Sequence, residues 1–168
     1  VIGAGYVGLV SAACFSDFGY DVTCVDRDPR KLALLESGRI PIYEQGLEPI
    51  VAANRAAGRL IFTDRMKEAV AQADVVLIAV GTPTREGEDA ADMSFVYAAG
   101  EEIARAMQGF TVIVTKSTVP VGTAAKLREI IARARPDGDF EVASNPEFMR
   151  EGSAEEDFLR PDRVVVGV

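Results

Sequence analysis

Short runs of apolar, largely β-branched residues recur along the chain at Asp21 to Val25, Leu60 to Thr63, Val75 to Val80, Thr111 to Lys116 and Glu141 to Ser144, with a last one near Val164. Each predicts a strand. Between them the apolar positions take helical spacing over Val7 to Phe18, Arg30 to Glu36, Leu47 to Ala57, Met66 to Ala71, Phe95 to Met107 and Thr123 to Ala134. Gly19, Gly38, Gly58 and Gly109 stand just past four of these segments, where helices commonly end in a left-handed residue. Strand and helix therefore alternate. Runs such as VVLIAV, Val75 to Val80, are apolar on every side, as a parallel sheet covered by helices on both faces requires. The expected fold class is α/β, a doubly wound parallel sheet, without internal repeats or low-complexity segments.

Composition narrows this picture. With 168 residues, 48% of them hydrophobic, the chain has material for one buried core and not for two ordinary domains. No apolar run approaches the roughly 20 residues of a membrane span, and no basic leader precedes Val1, so the expectation is a soluble, cytoplasmic domain without a membrane partner. The net charge of −8 argues against a nucleic-acid surface. A phosphate-bearing ligand would have to be held by local backbone donors. Cys14 and Cys24 lie among apolar residues without metal-ligand spacing, which reads as small core residues and no metal site. Val1-Ile2 runs directly into the first glycine, and the chain stops inside Val164-Val165-Val166-Gly167-Val168. The expectation is a piece, residues 1–168, of a longer polypeptide.

The first motif with chemical content is GAGYVG, in which Gly3, Gly5 and Gly8 fit G-x-G-x-x-G around Tyr6 and Val7. Gly3 permits a tight turn, Gly5 lets the backbone approach a pyrophosphate, and Gly8 lets the helix pack close, leaving helix N–H groups aimed at the anion. The motif ends a strand, opens a helix and is answered by Asp26, eighteen residues after Gly8, at the end of VTCVD. An acid there accepts hydrogen bonds from ribose hydroxyls and repels a 2′-phosphate, which favours NAD over NADP. Arg27 complicates that choice, since a guanidinium beside the acid can also contact a phosphate; a solvated Arg27 is the preferred reading. Lys31, five positions after Asp26, is a candidate for the ribose edge, with a surface lysine as the alternative.

Two further turns fall at strand carboxyl ends, where open α/β sheets bind ligands. Gly81, Thr82 and Pro83 follow Val75 to Val80, and a Gly-Thr-Pro turn there can line the nicotinamide-ribose side; it is also an ordinary turn composition. Ser117 and Thr118 follow Thr111 to Lys116 and face the same crevice, although such a pair before a helix also reads as a cap. Near the end, SNPEFMREG sets Glu147 and Glu151 four residues apart. Paired carboxylates suit proton transfer, and equally suit a solvated helix start.

With these pieces in order, the chain resembles the N-terminal NAD-binding domain of the UDP-glucose and GDP-mannose dehydrogenase family, over essentially its whole length. The resemblance rests on GAGYVGLV, VDRDPRK, IPIYEQGLE, VGTPT, KSTVPVGT, NPEFMREG and DFLRPDRVVVG. KSTVPVGT with PEFMREG is most similar to the members that oxidise UDP-glucose; siblings act on GDP-mannose or UDP-N-acetylmannosamine. Gln45 departs from the family, which commonly has proline there. The resemblance implies NAD as cofactor, a nucleotide sugar as substrate, oxidation of its C6 with two NAD reduced in turn, and a homodimer or higher assembly. It implies cofactor contacts at Gly3, Gly5, Tyr6, Val7, Gly8, Asp26, Lys31, Gly81, Thr82, Pro83, Ser117, Thr118 and Glu151. It further implies catalytic roles for Thr118, which positions cofactor and water, for Glu147 near the reacting sugar, and for Glu151 at the nicotinamide end. The family's cysteine nucleophile matches neither Cys14 nor Cys24, so the chain is expected to hold one half of an active site. A nucleotide-binding module without chemistry remains the contrasting reading, and the acids and hydroxyls of PEFMREG and KSTVPVGT speak against it.

Overall fold

The computed structural model describes residues 1–84 and 91–168. Among these described residues five parallel strands, β1 (Val22–Val25), β2 (Leu60–Thr63), β3 (Val75–Ile78), β4 (Thr111–Thr115) and β5 (Phe140–Ser144), form a pair β1-β2 and a triplet β3-β4-β5. Ile2 joins the two. It bridges Val25 on one side and Ile78 on the other, both in parallel, with Ile2 N–H donating to Leu77 (2.8 Å), Gly3 N–H to Val25 (2.7 Å) and Ala79 N–H to Ile2 (2.9 Å). The order across the sheet is thus β2, β1, residues 1–3, β3, β4, β5, and the winding reverses at Ile2. Crevices for ligands open at such reversals, outside the strand carboxyl ends.

Among the described residues seven helices flank the sheet: α1 (Tyr6–Asp17), α2 (Pro29–Glu36), α3 (Leu47–Ala56), α4 (Met66–Ala71), α5 (Ser94–Ala106), α6 (Thr123–Ala134) and α7 (Ala154–Leu159). The sheet separates two apolar cores. Consecutive residues of β1 show why: Cys24 packs with Leu9, Val10, Leu47 and Val51 on one side, while Val25 packs with Ile78, Val96, Ile103 and Ile113 on the other. Strand side chains alternate between faces, so both faces must be covered. Among the described residues no helix is long and apolar enough to cross a membrane.

Two expectations from the pattern need correction. The run near Val164 is not a strand; only Gly167 pairs, antiparallel, with Ser144, and Val164 and Val166 stay exposed. The antiparallel contact is made by main-chain groups of a single residue, and the valines contribute no buried face. Helix α7, whose six residues are AEEDFL, was not expected from the sequence.

Candidate functional site

At the reversal point, Gly3 adopts φ +102°, and a β-carbon there would lie 2.6 Å from the Ala79 carbonyl oxygen. A β-carbon on Gly8 would lie 1.8 Å from the Gly3 carbonyl oxygen, so α1 can start this close to the turn only with glycine at that position. Gly5 is different. It has ordinary extended torsions (φ −78°, ψ −169°), and nothing lies within 4 Å of where its β-carbon would stand. Protein packing demands glycine at 3 and 8; at 5 it leaves open space in front of the helix. That helix begins at Tyr6 and Val7 with no side-chain cap, so its first-turn N–H groups are left for an anion.

Gly3, Gly5, Asp26, Arg27, Lys31, Gly81 and Pro83, with Phe95 and Ala98 of α5, line one cavity of about 560 Å³. Asp26 is fixed from three directions. Its Oδ2 accepts from Ala4 N–H (2.7 Å) and lies 3.4 Å from Lys31 Nζ, and its Oδ1 accepts from Asp28 N–H (2.9 Å). Burial opposes the charge on Asp26, but the N–H groups of Asp28 and Ala4 and the Lys31 ammonium outweigh it and hold the carboxyl below its ordinary range. An ionised acceptor therefore stands at the end of β1. Lys31 is bound to it, and Arg27 reaches across to pair with Glu102 of α5.

The second and third loops meet the turn at the same edge. Thr82 Oγ1 donates to the Thr118 carbonyl (3.3 Å), joining the loop after β3 to the loop after β4. Ser117 is buried and spends its hydroxyl proton on the Val80 carbonyl (2.7 Å), whereas Thr118 is exposed. Sequence reasoning missed their neighbour Lys116. It is 5% exposed, bonds Asn145 Oδ1 (3.1 Å) and lies over the Phe158 ring; burial pulls its pKa down and the charge of Glu147 opposes that shift.

The two glutamates of SNPEFMREG part company. Glu147 turns back on its own loop, accepting from Met149 N–H (2.6 Å), and lines a separate cavity of about 950 Å³ with Lys116, Asn145, Phe158 and Arg163. Glu151 is exposed and lines neither cavity. Both carboxylates nonetheless act on Tyr6 at the start of α1, whose phenol is raised well above its ordinary range by burial, by its bond to Glu44 and by the charges of Glu44, Glu151 and Glu147. Glu44 was also missed in the sequence. It is 4% exposed and holds Tyr6, Gly152 and Ala154 together. The cysteines are buried, and burial pushes Cys14 up to about 12 and Cys24 up to about 11.

A glycine cradle, an uncapped helix start and an ionised carboxylate at the sheet's reversal define a dinucleotide-binding domain of the Rossmann class. Comparison with known proteins narrows the class: residues 1–168 match the UDP-glucose/GDP-mannose dehydrogenase family, NAD binding domain, and the chain belongs to that family. It is 62% identical over 168 residues to UDP-glucose 6-dehydrogenase of Rhizobium meliloti (strain 1021), covering 100% of this chain and 38% of that protein. The UDP-glucose 6-dehydrogenase of Pseudomonas aeruginosa is 53% identical, with 99% and 38% covered. Among solved structures, a ternary complex of GDP-mannose dehydrogenase from Pseudomonas aeruginosa superposes with TM-score 0.93 at 36% identity, covering 99% of this chain and 39% of that one. A UDP-glucose dehydrogenase from Pyrobaculum islandicum gives TM-score 0.93 at 43% identity, with the same coverage. The chain thus spans about 38% of the length of these two curated relatives.

Proposed function

We propose that this domain is the cofactor half of a cytoplasmic nucleotide-sugar dehydrogenase that oxidises C6 of UDP-glucose to the carboxylate with two NAD, working as a homodimer or higher assembly. The sugar-binding part and the cysteine nucleophile are then supplied by the portion of the enzyme that the relatives possess beyond the matched length. In this reading Gly3, Gly5, Gly8 and the first-turn N–H groups of Tyr6 and Val7 hold the pyrophosphate, and Asp26, steadied by Lys31, accepts from the ribose. Gly81, Thr82, Pro83 and Ser117 line the nicotinamide-ribose side. When bound, NAD supplies the hydride acceptor. Thr118 orients water, Glu147 takes up the proton shed during oxidation or activates the hydrolytic water, and Glu151 stands at the nicotinamide end.

One observation carries the reading beyond simple binding: the single Tyr6 hydroxyl proton lies between two acceptors, Glu44 Oε2 and the Arg150 carbonyl, each 2.9 Å from Oη, which fastens the loop of Glu147 and Glu151 to the helix that begins the cofactor site. A module that only bound NAD would have no use for acids held there. The buried thiols of Cys14 and Cys24 do not fit the nucleophile, because a nucleophilic cysteine needs thiolate character and access. The test follows NADH absorbance with the full-length enzyme and UDP-glucose, GDP-mannose or UDP-N-acetylmannosamine, alongside calorimetric NAD titration of the 168-residue chain. The expected result is turnover with UDP-glucose by the full enzyme, and NAD binding without turnover by the chain. Turnover with another of these sugars in preference would reassign the substrate, and steady NADH production by the chain would overturn the division of labour.

A further inference from the structure

We infer that Glu44 is a positioning residue, which sets the carboxylate of Glu151 relative to the cofactor turn. This deepens the proposed function and rests on it. Glu44 sits in the loop before α3 and touches neither cavity, yet its three hydrogen bonds converge from two distant parts of the chain. Its Oε2 accepts from the Tyr6 hydroxyl (2.9 Å) and from Gly152 N–H (2.9 Å), and its Oε1 accepts from Ala154 N–H (2.8 Å).

The placement of these bonds gives them their consequence. Glu151 is bracketed: the carbonyl of the residue before it lies 2.9 Å from Tyr6 Oη, and the N–H of the residue after it is held by Glu44. Its main chain is therefore fixed on both sides against the first residue of α1, the helix whose N-terminus faces the cofactor cavity. Glu151 itself remains exposed, so its location comes from the bracket and not from burial of its own side chain.

Chemistry explains why a carboxylate occupies this place. All three partners are donors, a hydroxyl and two N–H groups, and an ionised carboxylate is the side chain that accepts all three without presenting a donor of its own. Glutamine would set an amide N–H₂ against at least one of these N–H groups. Among the described residues no lysine or arginine pairs with Glu44, although it is 4% exposed. Its partners are these three hydrogen-bond donors, and bonds to a carboxylate are roughly twice as strong as neutral ones. This makes the fastening stiff.

The experiment uses the full-length enzyme and the variants Glu44→Gln, Glu44→Asp, Glu151→Gln and Glu44→Gln/Glu151→Gln, with kcat, calorimetric Kd for NAD and Tm measured for each. Misplacing a reacting group by about 1 Å costs about 100-fold, so kcat of Glu44→Gln should fall by about that factor while the Kd for NAD stays within about threefold. Glu44→Asp, which keeps the acceptors on a shorter arm, should recover part of the loss. Because Glu44 acts through Glu151, the double variant should be no slower than Glu151→Gln alone. Glu44→Gln with a lowered Tm and an unchanged kcat would overturn the inference, leaving Glu44 a purely structural residue; so would additive losses in the double variant. If Glu44→Gln does not fold, amide exchange of the unaltered enzyme decides: Gly152 and Ala154 N–H protected by about 100-fold or more support the bracket, and unprotected amides refute it. An unaltered enzyme that fails to reduce NAD with any nucleotide sugar would instead count against the proposed function, which keeps the two failures distinct.

Discussion

Alanine at Gly5 and alanine at Gly8 are the same chemical change, three residues apart, and the structure assigns them opposite consequences. At Gly8 the new β-carbon would stand 1.8 Å from the Gly3 carbonyl oxygen, against a closest ordinary approach of 3.0 Å, so α1 must retreat from the turn by about 1.2 Å. The gain in helix propensity, about 1 kcal/mol, is smaller than the overpacking cost of about 3 kcal/mol against a backbone atom. A net loss of about 2 kcal/mol lowers Tm by roughly 4–8 °C in a domain of this size. At Gly5 the torsions suit any residue and the space is empty. The weaker helix cap, up to about 1 kcal/mol, is offset by a comparable reduction in unfolded-state entropy, and Tm should stay within about 2 °C. That space is where the pyrophosphate must approach the backbone, so Gly5→Ala should weaken NAD by about 10- to 100-fold, or roughly 1.4–2.8 kcal/mol. Thermal melts by circular dichroism and calorimetric NAD titration measure both quantities on both variants. Equal Tm losses, or Gly5→Ala with undiminished NAD affinity, would refute the reasoning that packing explains Gly8 and ligand approach explains Gly5.

The other expectations are shorter. Asp26→Asn should weaken NAD and narrow its preference over NADP by about 10-fold or more, since a carboxylate near a 2′-phosphate is worth several kcal/mol; an unaltered chain that binds NADP as tightly as NAD in calorimetry would pass the choice to Arg27. Cys14 and Cys24, buried with thiols at about 12 and about 11, should not react with Ellman's reagent in the native domain near about pH 8, and should both react after denaturation. Asp157 is lowered to about 2 by the side-chain and backbone hydrogen bonds of Arg150. Its folded pKa lies below the unfolded value of about 3.9, so what the pairing adds to stability is present above about pH 4 and lost as pH falls through about 2. Carboxyl NMR titration should place the Asp157 midpoint near 2, and Arg150→Gln should return it toward the ordinary value.

How far the sequence could be read depended on whether a residue's role was recorded by its neighbours. VVLIAV announces a strand buried on both faces, and Asp26 announces itself by closing VTCVD ahead of a helix, because each signal lies within a few positions. Glu44 gives no such sign. Its partners Gly152 and Ala154 are 108 and 110 positions away, and a glutamate in a polar loop looks solvated until the fold buries it. Lys116 was hidden for a similar reason: it ends a strand, where a lysine usually faces water, but here the packing of Phe158 and Asn145 encloses it. The valines near 164 misled in the opposite direction, since β-branched composition indicates strand propensity and says nothing of whether a partner is available. Gly3 and Gly8 were placed by motif, while the distinction between them and Gly5 required coordinates.

Ile2 is the seam of the sheet. On its two sides lie halves that, among the described residues, share no other strand pairing, one built on β1 and β2 and the other on β3, β4 and β5. The two apolar cores lie on the two faces of the sheet, and the one that holds Val25 of β1 with Ile78 and Ile113 crosses the seam. Cooperativity between the halves passes through the main-chain bonds at Ile2 and Gly3 and through the packing of Val25 in the core of Ile78 and Ile113. A dinucleotide seated on Gly3 and reaching both Asp26 and Gly81 would span that seam, so its binding energy would couple the unfolding of the two halves as well as raise the stability of each.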